Sequence, residues 1–136
     1  IIAHGKLMPG AREALDLCKE LKLPIALATS SNHRMMLATL KHFELFGYFQ
    51  ATCSAEFLAL AKPHPQVYLN AAAALGVTPQ HCVALEDSVT GVIAAKSARM
   101  RCIAVPAHTD FHDPRYGIAD LKLPTLQQLC AADLMQ

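Results

Sequence analysis

The sequence is short of charge and has no excess of either sign. Its 136 residues include 12 basic and 11 acidic side chains, which leave a formal net charge of +1, and only 17% of the residues are charged. Nucleic acids and anionic membrane surfaces attract proteins with basic patches, and this sequence contains no basic run. We therefore expect neither a nucleic acid nor a membrane as a partner.

Long apolar runs are also missing, although 53% of the residues are hydrophobic. The most apolar stretches, such as residues 71–77, fall far short of the roughly 20 residues that cross a bilayer. The six glycines and eight prolines follow no period, which argues against a collagen-like or repeat protein. A length close to that of a common domain then predicts one domain over residues 1–136 with one buried core.

The cysteines form no recognisable pair. They are odd in number, lie far apart in apolar segments and include no C-x-x-C spacing: Cys18, Cys53, Cys82, Cys102 and Cys130. This pattern favours buried free thiols in a reducing cytoplasm over disulfides or a zinc site. The chain begins with Ile1 rather than Met and carries no secretory signal pattern, so we expect its natural N-terminus to be missing.

Short apolar runs alternate with helical patterns along the chain. Strands are predicted at 25–28, 49–54, 82–85 and 102–105, with an edge strand at 119–123. Helices are predicted from Pro9 to Leu21 and at 33–43, 66–75, 90–98 and 124–129, and Gly76 is placed for a left-handed helix end. Fully apolar strands separated by helices are typical of a parallel sheet covered on both faces. The predicted fold class is therefore α/β, with a Rossmann-like three-layer parallel sheet.

Polar residues follow three of these strands. Thr29 and Ser30 follow the first, Lys62 lies in the loop after the second, and Glu86 and Asp87 end the third. Because the carboxyl ends of parallel strands share one edge of the sheet, we expect these groups to converge. A hydroxyl beside free helix N–H groups and an ammonium suit a phosphate, while two carboxylates suit a hard divalent cation. The sequence predicts a phosphate-plus-magnesium site.

Each of these residues also has a structural interpretation when taken singly. Thr29 and Ser30 could simply cap the next helix, Lys62 could be a solvated loop lysine, and the acidic pair could complement a helix dipole. The occurrence of all three features at successive strand ends favours the site.

Two other groups are interpreted as structural. His108 and His112 suggest a metal site, but Pro106 and Pro114 bracket them in a loop, so a surface loop is preferred. A second group of apolar side chains is predicted to fill the core beneath the sheet edge: Met35, Met36, Phe43, Phe46, Tyr48 and Phe49.

Three segments resemble motifs of the haloacid dehalogenase-like hydrolases, in the β-phosphoglucomutase-like sugar-phosphatase branch. They are Leu27-Ala28-Thr29-Ser30-Ser31, Ala61-Lys62-Pro63-His64-Pro65 and Ala84-Leu85-Glu86-Asp87-Ser88-Val89-Thr90-Gly91. Within that branch, the tail at 105–123 looks most like the bacterial 2-deoxyglucose-6-phosphate or hexitol phosphate phosphatases. The resemblance covers nearly the whole chain.

The resemblance implies a role for each candidate residue. Thr29 would hydrogen-bond the phosphoryl group, Ser30 would offer its backbone N–H, and Lys62 would neutralise charge on the phosphate and the nucleophile. Glu86 and Asp87 would hold Mg²⁺. In such enzymes an aspartate attacks phosphorus to give an aspartyl-phosphate, and a second acid two residues later protonates the leaving alcohol. The implied substrate is a small phosphorylated sugar or sugar alcohol.

The sequence departs from the family pattern in one respect. The two catalytic aspartates belong to a D-x-D motif near the start of the family's chain, and no D-x-D occurs here. We therefore expect a partial, C-terminal core that lacks the nucleophile strand and the helical cap, with residues 1–10 as the hinge from that cap. In the family the nucleophile strand lies between the strands ending at Thr29 and Glu86. Their edges would then pair with each other, recruit another chain or stay poorly ordered.

Two other functions remain open on the residues alone. The chain could be a non-catalytic anion-binding or interaction module that is completed by a partner strand or by self-association. A response-regulator-like receiver would share the hydroxyl and the lysine. It needs an acceptor aspartate after a strand and an early acidic pair, and neither is evident.

Overall fold

A computed structural model of the chain describes residues 2–3 and 6–135. Its strands are β1 (Ile2–Ala3), β2 (Lys6–Leu7), β3 (Ala26–Thr29), β4 (Ala51–Ser54), β5 (Val83–Glu86), β6 (Arg101–Ala104) and β7 (Leu121–Lys122). Its helices are α1 (Ala11–Glu20), α2 (His33–His42), α3 (Gln66–Leu75), α4 (Val89–Ser97) and α5 (Ala131–Leu134). The predicted alternation of strands and helices is confirmed.

The long strands form two parallel groups. β3 pairs with β4, with Ala26 opposite Ala51, and β5 pairs with β6, which in turn pairs with β7. The first two strands form a separate antiparallel pair. Parallel strands joined by helices give the α/β, Rossmann-like class that the apolar runs predict.

One edge of β3 and one edge of β5 have no strand partner among residues 2–3 and 6–135. The carbonyls of Ile25 and Thr29 accept hydrogen bonds from the β4 side, at Gln50 and Ala55. Because backbone groups of a strand alternate between its edges, the carbonyl of Ala28 faces away from β4. Of the three outcomes expected for these edges, pairing of β3 with β5 does not occur in the described part.

Helices cover both faces of the strands. On one face, α3 and α4 pack against β4, β5 and β6 in a cluster whose largest buried members are Tyr68, Val67, Val92, Met100 and Cys102. On the other face, α1 and α2 pack against β3 in a cluster centred on Leu15, Met36, Leu40 and Leu45. A third cluster joins α1 and the chain's tail to β6, through Ile103, Val105, Leu123 and Leu134. This confirms the three-layer arrangement.

The ends of the helices show how the backbone turns between layers. Gly76 ends α3 in the left-handed conformation, with φ of 69°, as predicted. Three other helices are followed by a charged residue in that same conformation: Lys22 after α1, Glu44 after α2 and Arg99 after α4.

The predicted start of the first helix is wrong by two residues. Pro9 lies outside α1, and Gly10 is the N-cap with φ of 84°. A side chain at position 10 would lie 2.6 Å from the backbone nitrogen of Gln127. The close approach of the tail therefore requires glycine at this helix start.

The predicted tail is also partly wrong. The closing helix at 124–129 is only a 3₁₀ turn at Leu126–Gln128, and the four-residue α5 follows it. The Thr125 hydroxyl accepts a hydrogen bond from the Gln127 N–H, which closes a tight local turn instead of a helix. The edge strand at 119–123 shortens to Leu121–Lys122 and lies at the predicted edge.

The core predictions need three corrections. Met36 is 4% exposed but Met35 is 59% exposed, because consecutive helical residues cannot both face the sheet. Phe46 is 50% exposed, in a 3₁₀ turn at Phe46–Tyr48. All five cysteines are free thiols as predicted, but Cys130 is exposed. Burial raises the pKa of the Cys102 thiol to about 12.

No helix in the described residues is long and apolar enough to cross a membrane.

We expect Leu40→Ala to lower the free energy of unfolding by about 2 to 5 kcal/mol, because Leu40 is fully buried between α2 and the sheet and its removal leaves a cavity. Leu37→Ala on the same helix is the matched control, since Leu37 is 47% exposed. Urea denaturation of both variants measures the difference. Equal losses would contradict the placement of α2.

Candidate active site

Thr29 and the start of α2 form the first part of the site. The Ser31 N–H donates to Thr29 Oγ1 at 3.0 Å, so the threonine hydroxyl holds the turn after β3. The cap of α2 is Asn32, whose Oδ1 accepts from the Met35 N–H at 2.8 Å. Neither Thr29 nor Ser30 caps the helix, so the simplest structural interpretation of this pair is wrong. Ser30 is exposed at the strand end.

Glu56 adds a carboxylate to this helix start that the sequence did not reveal. Its Oε2 accepts from the His33 N–H at 2.7 Å and lies 2.8 Å from His33 Nδ1. The hydrogen bond from the His33 backbone, followed by that from its ring, holds the pKa of Glu56 below its usual range. The loop is tied down further by Ser54, whose hydroxyl donates to the Ser31 carbonyl at 2.5 Å.

Lys62 links the carboxyl ends of β3 and β5. Its Nζ donates to the Ala28 carbonyl at 3.1 Å and lies 2.5 Å from Glu86 Oε1. The side chains of Lys62 and Glu86 are only 12% and 7% exposed. Lys62 is therefore not a solvated loop lysine, because its ammonium is buried at the junction of the two strand groups.

Tyr68, in the first turn of α3, completes the surroundings of this ion pair. Its hydroxyl donates to Glu86 Oε1, and Lys62 Nζ lies 4.9 Å from the centre of its ring. Burial, together with the Glu86 carboxylate, raises the pKa of Tyr68. The sequence placed Tyr68 only in the apolar stripe of a helix, and a tyrosine within such a stripe is the signal that a buried hydroxyl needs a partner.

Gly91 makes room for the Glu86 carboxylate. A side chain at position 91 would overlap with both carboxylate oxygens of Glu86. Gly91 also donates its N–H to the Ser88 hydroxyl, which caps α4. The absence of a side chain at this point lets a buried strand-end carboxylate pack directly against the first turn of the following helix.

Asp87 differs from its neighbour because it is exposed. Its backbone carbonyl accepts from the hydroxyl of the buried Tyr116 at 2.7 Å. The strand end is thus fixed while the carboxylate of Asp87 faces solvent. The two adjacent acids present one buried and one accessible carboxylate.

These oxygen donors suit magnesium under one condition. Mg²⁺ prefers hard oxygen ligands and usually keeps several waters, so one or two protein carboxylates and a phosphate suffice to hold it. Residues 2–3 and 6–135 contain no group of three or more His, Cys, Asp or Glu side chains that could hold a metal. Glu86 and Asp87 therefore fit a hydrated ion shared with a phosphate, not an ion enclosed by protein.

The structure brings most of the candidate residues to one edge of the sheet. Lys62 contacts the end of β3, one residue before Thr29, and also contacts Glu86, next to Asp87. His108 and His112 are exposed in the loop after β6, as preferred. The chemical roles of the clustered residues remain predictions.

Comparison with known proteins identifies the family. The model for haloacid dehalogenase-like hydrolases matches residues 1–99. The chain belongs to the haloacid dehalogenase-like hydrolases. Hexitol phosphatase B of Escherichia coli is 54% identical over 129 residues, which are 95% of this chain and 58% of that protein. The phosphorylated carbohydrates phosphatase of Thermotoga maritima is 39% identical over 101 residues, which are 74% of this chain and 47% of that protein.

A solved haloacid dehalogenase-like structure has the same fold. A mutant of CbbY from Rhodobacter sphaeroides, in complex with xylulose-(1,5)bisphosphate, superposes with a TM-score of 0.86 at 31% identity. The match covers 96% of this chain and 59% of that one. This hydrolase chain therefore spans little more than half the length of the relatives that it matches.

Gly91→Ala tests the packing of Glu86 in this member of the family. Alanine normally stabilises a helix by about 1 kcal/mol relative to glycine. Here we expect a loss of about 1 to 3 kcal/mol instead, because the methyl group displaces a buried, hydrogen-bonded carboxylate. Gly47→Ala is the control, since nothing lies within 4 Å of a side chain there. A stabilised Gly91→Ala in chemical denaturation would show that Glu86 is not packed this way.

The lowered pKa of Glu56 predicts a pH dependence. A carboxyl whose pKa is lower in the folded than in the unfolded state stabilises the fold above its unfolded pKa, and this contribution disappears as the pH falls through the folded value. We expect the ¹³C NMR titration of Glu56 to give a pKa below that of exposed Glu13. Equal values would contradict the contact with His33.

Proposed function

We propose that this chain is the C-terminal core of a magnesium-dependent phosphatase that hydrolyses a small sugar or sugar-alcohol phosphate. The observation that carries this proposal is the buried Lys62 ammonium, which joins the end of β3 to Glu86. It places a fixed positive charge between the Thr29 turn and the acidic pair. A phosphate dianion needs this combination of a cation and hydrogen-bond donors.

Each residue has a distinct task in the proposed site. Thr29 Oγ1 and the Ser30 N–H hydrogen-bond the phosphoryl oxygens at the start of α2, and Lys62 neutralises their charge. Asp87 and Glu86 hold Mg²⁺, which supplies further charge neutralisation when it is bound. Asp87 offers the accessible carboxylate, while Glu86 contributes from the buried side of the site.

We propose that the attacking carboxylate comes from outside these 136 residues. The chain has no D-x-D motif, and the free edges of β3 and β5 flank the position that a further parallel strand could take. An aspartate at the end of such a strand would attack phosphorus beside Lys62 and form an aspartyl-phosphate. The chain by itself would then bind phosphate without turning over a phosphate ester.

The relatives support the substrate class. One is named a hexitol phosphatase and another a phosphorylated carbohydrates phosphatase, and the CbbY structure holds a sugar bisphosphate. We extend the shared chemistry, a phosphorylated polyol or sugar, to this protein. We also propose a cytoplasmic location, where the five free thiols would stay reduced.

Phosphate binding by the chain itself tests the proposal. We expect inorganic phosphate to bind more tightly with Mg²⁺ than without it in a calorimetric titration, and no phosphate release from a hexitol phosphate. Lys62→Met should weaken phosphate binding by about tenfold or more, because a charge-assisted contact is lost. Asp87→Asn should remove the effect of Mg²⁺.

Lys96→Met is the matched control for the lysine. Lys96 also pairs with a carboxylate, Asp120 at 2.8 Å, and a carbonyl, Met100 at 3.0 Å, but it lies at the other end of α4. Its replacement should leave phosphate affinity unchanged. Robust turnover by the chain would refute the absence of the nucleophile, and equal losses in both lysine variants would refute the site.

The free strand edges favour a second candidate function. An interaction module would use them to recruit a strand from a partner or from a second copy of the chain. Concentration-dependent association in analytical ultracentrifugation, together with phosphate binding that ignores Mg²⁺ and Asp87→Asn, would support the module over the phosphatase core.

A further inference from the structure

The buried carboxylate of Glu86 receives two donors on one oxygen. Lys62 Nζ and the Tyr68 hydroxyl both meet Oε1, and the Glu86 side chain is only 7% exposed. A carboxylate removed from water in this way needs every donor it has, because an unsatisfied buried charge is costly. The hydroxyl of Tyr68 therefore fixes where Oε1 lies.

The same tyrosine also contacts the cation. Lys62 Nζ lies 4.9 Å from the centre of the Tyr68 ring, within the range of a cation–π interaction. One side chain thus restrains both members of the ion pair, the carboxylate by its hydroxyl and the ammonium by its ring face. Lys62 itself comes from the loop before α3, and Tyr68 comes from the first turn of that helix, so one short segment supplies both groups.

We propose that Tyr68 is a positioning residue that holds the Lys62 ammonium and the Glu86 carboxylate in the geometry the site uses. Tyr68 does not contact the phosphate in this role and acts only through its two neighbours. What the pair does chemically rests on the proposed function, but the positioning itself is a property of this chain.

The competing explanation is that Tyr68 only fills the core. It is 7% exposed and belongs to the cluster between α3, α4 and the sheet. If packing were its whole role, phenylalanine would serve equally well, since only the hydroxyl would be lost. Tyr68→Phe therefore separates the two explanations while keeping the ring.

Tyr48→Phe is the matched control. The Tyr48 hydroxyl also donates to a carboxylate, that of Asp16, and an ammonium, Lys19, lies 5.7 Å from its ring. This second group has the same three kinds of partner but is exposed and lies on α1 and the turn after α2, away from the acidic pair. The two variants remove the same atom from the same kind of contact.

Two readouts on the 136-residue chain test the proposal. The first is proton exchange of the Lys62 ammonium, followed by ¹⁵N-resolved NMR with Lys96 as internal reference. The second is the affinity for inorganic phosphate with Mg²⁺. In Tyr68→Phe we expect exchange at Lys62 to accelerate, and phosphate affinity to fall, by about tenfold each, as for a lost hydrogen bond to a charged group. Tyr48→Phe should change neither.

The outcomes separate the positioning role from the proposed function. Unchanged Lys62 exchange in Tyr68→Phe would overturn the positioning role. Accelerated exchange in a chain whose wild type binds no phosphate would support the positioning role and refute the proposed function. Should Tyr68→Phe fail to fold, the wild type still decides: a slowly exchanging Tyr68 hydroxyl proton with a nuclear Overhauser contact to the Lys62 side chain supports the role, and its absence overturns it.

Discussion

The buried contact between the Lys62 ammonium and the Glu86 carboxylate is the interaction on which the site depends. The two charges are nearly removed from water, and they connect two groups of strands that share no backbone hydrogen bond in the described residues. Burying such a pair is favourable only if each charge finds further partners. The Ala28 carbonyl and the Tyr68 hydroxyl supply them. Removal of any one member leaves the others desolvated and unsatisfied.

The surroundings of this pair explain several local features of the chain. Gly91 has no side chain because the Glu86 carboxylate occupies that space. Tyr116 fixes the backbone of Asp87, so one acid turns inward while the next faces solvent. Adjacent residues of a strand point to opposite sides, and the geometry here uses that alternation to separate a charge that anchors the lysine from one that is accessible to a ligand.

The sequence predicted the fold class and the meeting of Lys62 with the acidic pair, because both follow from parallel strands sharing one edge. It did not predict Tyr68, Glu56 or Gly91. Their roles depend on tertiary neighbours 18, 23 and 5 residues away in the chain, and no local pattern records such distances. The tail was wrong for a different reason. Its 3₁₀ turns are too short to have a hydrophobic period, so a proline followed by polar residues was interpreted as a helix start.

The left-handed residues that follow three of the helices have a consequence for how far this chain can be changed. Lys22, Glu44 and Arg99 hold a conformation that is strained for any residue with a Cβ and relaxed for glycine. All three lie outside the cluster around Glu86. The scaffold therefore keeps a reserve of unrealised stability in its connections, which evolution or engineering could draw on to offset destabilising changes at the catalytic edge.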